Sequence, residues 1–399
     1  MMTMRWQFLA ATAVSCAALS TLLAACASDD DVRIDGSEDA ATPVPASDSG
    51  VVDTGADVEA GPCTDCAYFP ATCGKDTLCP TGPFDSTNPA AGLDWRTRIN
   101  VVRGRSASDV WLAGALGAMA HFDGTSWKTS DLGTRESQRV LWLLPAGEVS
   151  FGILERVFTR GLDVGEGEAD AGVSAGGWSF RGAAPTPPES SGVLTAAWSM
   201  PASDVLWLAT TTDLWRLRLT PASTFEALPG IPPSVCRAAP CRGMRSVHGS
   251  SAGTLWAVGD LGTSVRITGA DGDAPVATSF DTLTWTGLAG VWAAADDDVW
   301  AVGGMGTIRH YTGDPHRWDV VSGVPTNESL NAVWGASASD VWAVGNAGVV
   351  LHYDGAAWTR VSIAGLGTRR PDLHTVWSAG AGHVFIGGDG VVLALGGKP

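Results

Sequence analysis

Tyrosine occurs only three times in these 399 residues, charged residues make up 17% of the chain, and 25 bases face 42 acids. No cluster of Lys and Arg stands anywhere, and the net charge is -17. Nucleic-acid binding and a polybasic membrane footprint both need concentrated positive charge, so no nucleic-acid partner is expected. Beyond residue 25 no apolar run is long enough for a membrane-spanning helix. From residue 93 onward there is no His/Cys metal-ligand spacing, phosphate-cradling glycine loop or nucleophile elbow, so no metal and no cofactor is expected there. What is plentiful is glycine, with 50, and tryptophan, with 18.

The first segment reads as an address. Arg5 precedes an apolar run from Trp6 to Ala25, which ends in Leu23-Ala24-Ala25-Cys26. A run of that length could span a bilayer as a signal anchor. Small residues directly before a cysteine resemble instead the lipobox of bacterial lipoproteins, in which the signal is cut and the new terminal cysteine is acylated. That resemblance makes residues 1–25 a signal peptide and Cys26 the lipidation site, the protein's link to a membrane. Ala27 and Ser28 follow where inner-membrane retention signals would lie, so the expected address is the outer membrane of a Gram-negative cell envelope.

Residues 26–62 change composition to Asp, Ala, Ser, Gly, Pro and Val without periodicity, and ten acids there face the single base Arg33. Such a stretch buries too little apolar surface to offset its ordering entropy and reads as a disordered acidic tether. Six cysteines follow: Cys63, Cys66, Cys73, Cys79, Cys236 and Cys241. An even number in an exported chain suggests disulfides. The first four, in a small Cys-rich segment over 63–92, also admit a zinc knuckle or a redox pair, and their connectivity stays open. Cys236 and Cys241 suit a local bridge.

The remainder, 93–399, is a repeat. The phrase SASDVWAVG around Trp342 returns around Trp111, Phe151, Trp207, Trp256, Trp300 and Phe385, about 46 residues apart, a period within reach of propeller blades. A full unit reads as four strands. Leu330 to Trp334, Val341 to Val344, Val349 to Tyr353 and a strand opening at Trp358 are separated by turns such as Asp354-Gly355. The second strand is apolar at consecutive positions, so both its faces are buried, as stacked blades would bury them. The last unit lacks a fourth strand, and Leu93-Asp94-Trp95-Arg96 is the kind of segment that would supply it. The expected fold is therefore an all-β propeller of seven four-stranded blades, closed near Trp95, with six blades as the alternative because the second and third units are degraded. Each buried Trp removes about 150–250 Å² from water, so matched tryptophans should cement the blades.

The units, best seen in GLAGVWAAADDDVWAVGGMGTIRHYTG (287–313), resemble the Trp-rich repeats of bacterial propellers related to the photosystem II assembly factor group. More loosely they resemble the Asp-box (BNR) repeats of sialidases, although Asp123-Gly124 and Asp354-Gly355 shorten the Asp-to-Gly spacing. The resemblance implies a fold, and a fold does not carry function. A sialidase-like site would need a tyrosine nucleophile, and only Tyr68, Tyr311 and Tyr353 exist; the last two share one repeat slot after His310 and His352, a sign of structure. No catalytic residue is assigned. His121, His310 and His352 read as packing or turn-capping residues, and Asp109, Asp204, Asp298 and Asp340 as turn formers.

Function is sought in departures from the repeat. These are the insert 161–177, the loop 229–242, the loop 269–281 with Asp271 and Asp273, and the tryptophans of atypical units, Trp178 and Trp215, as ligand-binding candidates. The reading is a monomeric, lipid-anchored propeller that binds or scaffolds an envelope protein. A glycan-binding propeller is the second reading, and a sialidase-like hydrolase the third.

Overall fold

The computed structural model describes residues 65–84, 92–163, 172–238, 241 and 243–397. The signal, Cys26, the tether and Cys63 lie outside the described residues. Short apolar runs broken by Gly- and Asp-rich turns form seven four-stranded antiparallel sheets. Strand one of each sheet packs against strand one of the next around a common axis, from Ile99–Ser106 in blade 1 to Leu373–Gly380 in blade 7, which meets blade 1 again. The chain is a closed seven-bladed β-propeller, which removes the alternative of six. The Asp-Gly turns behave as their chemistry requires: Gly124 and Gly355 take φ of 90° and 94°, and the Asp123 and Asp354 carboxylates accept the next free backbone N–H groups.

An N-terminal strand closes the ring, but it lies upstream of Trp95. Leu78–Thr81 pairs with Val391–Leu395 at the outer edge of blade 7, Leu78 opposite Leu395 and Thr81 opposite Val392. Leu78 is fully buried there and bridges to Ile363, whereas Trp95 is 60% exposed. The segment around Trp95 is instead the turn leading into blade 1, where Asp94 accepts from the backbone N–H and the guanidinium of Arg96. The propeller thus starts before residue 93, and Leu78–Thr81 of the Cys-rich segment is the outer strand of blade 7. Arg370 lies 3.5 Å over the Phe69 ring and binds Asp65 at 2.8 Å, fastening that segment to the rim. Cys73–Cys79 and Cys236–Cys241 are disulfides, and Cys66 is disulfide-bonded as well. Those thiols are therefore not zinc ligands.

Strand two supplies the joint between blades. Trp256 packs on Tyr311 and Trp318 of the following blade at 4.5 and 5.1 Å, Trp300 on Tyr353 and Trp358 at 4.7 and 5.3 Å, and Trp111 edge-on to Trp178. Blade 2 breaks the series. Its register places Val149, two residues before Phe151, in the slot of Trp111, because Arg160 pairs with both Glu148 and Trp178 as Phe122 pairs with Val110 and Trp127. Phe151 sits at the far end of its strand, fully buried in the core of blades 2 and 3.

Glycines let strand one pass its neighbours. A Cβ on Gly335 would lie 2.5 Å from Trp292 of the preceding blade, and on Gly249 2.8 Å from Trp198; Gly104 meets Trp377 in the same way. Gly335→Ala should therefore lower stability by about 1–3 kcal/mol, read by chemical unfolding, and Trp292→Leu in that background should restore part of the loss. A chain starting at Gly61 should unfold cooperatively and stay monodisperse in light scattering. A chain starting at Leu93, which lacks the closing strand, should expose the Val391–Leu395 edge and aggregate.

Candidate functional site

The antiparallel register puts one residue of each strand one opposite the strand-two joint: Arg103, Trp142, Trp198, His248, Trp292, Trp334 and Trp377. All seven line a single cavity on the axis. It has a volume of about 690 Å³ and opens on the face that carries the turns from strand one to strand two, at Ser106, Pro145, Pro201, Ala336 and Gly380. Its size lies within the range of small-molecule and peptide pockets. Beyond the ring a narrower channel of about 160 Å³ continues toward the other face, past Asn100, Arg139, Arg245 and His374.

The ring is held rigidly. Trp142, Trp198, Trp292 and Trp377 are 1–7% exposed, their bodies wedged between neighbouring strands. Side chains of one blade also satisfy backbone donors of the next: the N–H of Val102 donates to Thr375 Oγ1 at 3.2 Å, that of Val291 to Ser246 Oγ at 3.1 Å, and that of Ala293 to His248 Nδ1 at 3.2 Å. These bonds fix strand one where no sheet partner exists on the axial side.

Titratable groups enter this ring at two places. The Arg103 guanidinium lies 4.9 Å over the Trp334 ring, across the axis, and His248 stands edge-on to the same indole at 5.1 Å. Burial pushes Arg103 down to about 10, so it keeps its charge at neutral pH. Burial, and secondarily the charge of Arg103, push His248 down to about 3, so its ring is neutral and Nδ1 is free to accept from Ala293. Arg105, at the funnel mouth, is neutralised by Asp109 and Glu148 at 3.0 and 2.8 Å. No Asp or Glu lines the funnel or the channel.

The residues singled out in the sequence lie elsewhere. Trp178 and Trp215 are each 1% exposed, Trp178 donating its indole N–H to Ser130 Oγ at 3.0 Å. Both fill blade interiors and present no face to a ligand, which corrects their reading as binding residues. The residues themselves pack ordinary core. Asp271 and Asp273 are exposed in the turn after Ser264–Thr268, where their charges act on Arg216. Among the described residues no group of three or more His, Cys, Asp or Glu could hold a metal. The repeated histidines form a structural unit with the repeated aspartates: His121, His310 and His352 bind Asp109, Asp298 and Asp340 at 2.8, 2.7 and 2.9 Å. Each stacks on its strand-two indole, His310 on Trp300 at 3.8 Å and 10°. These aspartates are thus side-chain acceptors for histidine as well as turn residues.

His248 sets a pH dependence. Its folded pKa lies below the ordinary 6.5, so above pH 6.5 both folded and unfolded chains carry it neutral and its contribution is intact. As pH falls from 6.5 toward 3 the unfolded chain takes up a proton that the folded chain refuses, and stability is lost. Between pH 7 and 5 the loss should be about 2 kcal/mol. It is read as the difference in pH slope of the unfolding free energy between the native protein and His248→Asn, which should lack this component.

No protein-family model matches the sequence, and no curated protein matches it. Solved structures match its shape. YCF48 bound to D1 peptide is 15% identical, with a TM-score of 0.56 over 82% of this chain and 96% of that one. A virginiamycin B lyase from Staphylococcus aureus is 13% identical, with a TM-score of 0.56 over 75% and 95%. The extracellular domain of a hybrid two component system from B. thetaiotaomicron is 12% identical, with a TM-score of 0.56 over 81% of this chain and 42% of that one. At such identities the likeness is one of fold: it is shared with β-propellers that include YCF48 and extracellular domains.

Proposed function

We propose that this chain is an exported lipoprotein, tethered through acylated Cys26 to the outer membrane of a Gram-negative bacterium, and that its propeller holds a segment of a partner protein in the axial funnel. The observation that carries the binding reading is the funnel itself, a cavity of about 690 Å³ walled by rigid strands and turns that present Leu143, Met200, Pro201 and Trp334 to it. A preorganised apolar wall spares a flexible ligand's site the ordering entropy that a mobile one would require. A propeller of the same fold is solved with a peptide bound, and another is an extracellular domain; both support the reading. Among the described residues no helix is long and apolar enough to cross a membrane, in keeping with anchoring from outside the fold.

The glycan reading is less well supported. Sugars stack on open aromatic faces, and four of the five ring indoles are no more than 7% exposed. For the hydrolase reading, none of Tyr68, Tyr311 and Tyr353 lines the funnel, and Tyr311 is 2% exposed with burial pushing its phenol up.

A photo-crosslinking residue placed at Ser106 or Met200, both on the funnel wall, should give a discrete protein adduct in the native host, and one placed at exposed Thr278 on an outer strand should not. Plugging the mouth with Ala336→Trp and Ala379→Trp should abolish the adduct. Cys26→Ser should move the protein from the membrane to the soluble fraction. Adducts that are equal at all three positions, or that survive the plug, would rule the funnel out.

A further inference from the structure

Five blades bring an indole to the axial ring, and two do not: blade 1 brings Arg103 and blade 4 brings His248. His248 is accounted for by its bond to the Ala293 N–H. Arg103 is not accounted for in this way. Its Nη1 donates to its neighbour's carbonyl, Val102 O, at 2.8 Å, and no carboxylate among the described residues pairs with it. Among the described residues its remaining donors have no hydrogen-bond partner, and Arg103 lines both the funnel and the channel beyond it. An enclosed, unpaired guanidinium is unfavourable unless something compensates it.

The surroundings sharpen the point. In a chain of net charge -17, no carboxylate among the described residues stands on the wall of either cavity, and none of them pairs with Arg139, a second cation there. The guanidinium lies 4.9 Å over the indole of Trp334, and a guanidinium carries paired donors with which arginine grips a carboxylate through two parallel bonds. The apolar wall lies above this point and the positive charge at its floor.

We infer that Arg103 is the anion-reading centre of the funnel, and that the bound protein segment inserts a carboxylate that pairs with its guanidinium. The inference rests on the reading of the funnel as a binding site for a protein segment. The carboxylate can belong to a chain terminus or to an Asp or Glu side chain, and the recognising chemistry is the same.

The test is selection from seven-residue peptide libraries in two formats, one with a free C-terminal carboxylate and one with a C-terminal amide, on the purified full chain. Enrichment of the free-carboxylate format would assign the group to a terminus, and Asp or Glu at a fixed position in amide peptides would assign it to a side chain. Either should fall at least tenfold in Arg103→Met, be partly kept in Arg103→Lys, and vanish in the plugged variant Ala336→Trp/Ala379→Trp. Arg103→Met should unfold at a midpoint equal to or above that of the native protein, since an enclosed unpaired charge has been removed; a role in structure alone would lower it. Peptides enriched by the native protein, lost on plugging, yet without preference for a carboxylate or unaffected by Arg103→Met, would overturn the inference and leave the funnel as a binding site. Failure to enrich any peptide in either format would overturn both.

Discussion

Seven strands that converge on one axis leave room for about one side chain each at a given level, and the molecule is organised around that constraint. Five of the seven places hold indoles, and several of these wedge against a glycine of the following blade: Trp377 on Gly104, Trp198 on Gly249, Trp292 on Gly335. Large and small thus alternate around the ring in the way that close packing requires. Farther out, the strand-two tryptophans join blades by contacting the next sheet, while a histidine of their own blade stacks on the other face, as His310 does on Trp300. The His310–Asp298 bond then fixes that histidine. Trp111 and Trp300 therefore each touch a histidine of their own blade and an aromatic ring of the next, and the ring needs no helical layer to cover its sheets.

The same constraint explains why the funnel is shaped as it is. Strand one carries its wedge residue close to its end, so the space beyond the wedge opens into a mouth bounded by short turns. Because the wedge residues also contact neighbouring blades, the wall cannot relax without loosening those contacts. A ligand meets a surface already in place, and the two positions that depart from Trp, Arg103 and His248, differ in kind. One is a neutral ring that completes the backbone bonding of blade 5, and the other is a cation with bonds to spare.

The repeat count and the four-strand unit were legible because strand two is nearly the same phrase in most blades, with its Asp, its Trp and its closing glycine. Where that phrase decays, register was lost: Phe151 matched by type, while Val149 holds the place by pairing. The closing strand was illegible for a related reason. Leu78-Cys79-Pro80-Thr81 has four residues and a proline, which an edge strand tolerates because one row of its N–H groups needs no partner. The site was harder still. Trp178 and Trp215 drew attention by standing in unusual units, yet burial decides what a tryptophan can touch. Lining up the first strands rather than the second would have exposed the odd members, since VVRGR of blade 1 and SVHGS of blade 4 interrupt a series of indoles.

Blade 7 takes its outer strand, Leu78–Thr81, from before blade 1 and its other three strands from after blade 6. A ribosome delivers the first of these pieces long before the others. Leu78–Thr81 emerges ahead of every other blade strand and has no sheet to join until Val391–Leu395 has followed it out. Blades 1 to 6 draw all their strands from contiguous sequence and can form as they appear, but the circle can be completed only once Val391–Leu395 has emerged. The interval between the sixth blade and that strand is therefore the period in which the nascent protein is an open arc with two unpaired ends, and the period in which a holding chaperone would find it.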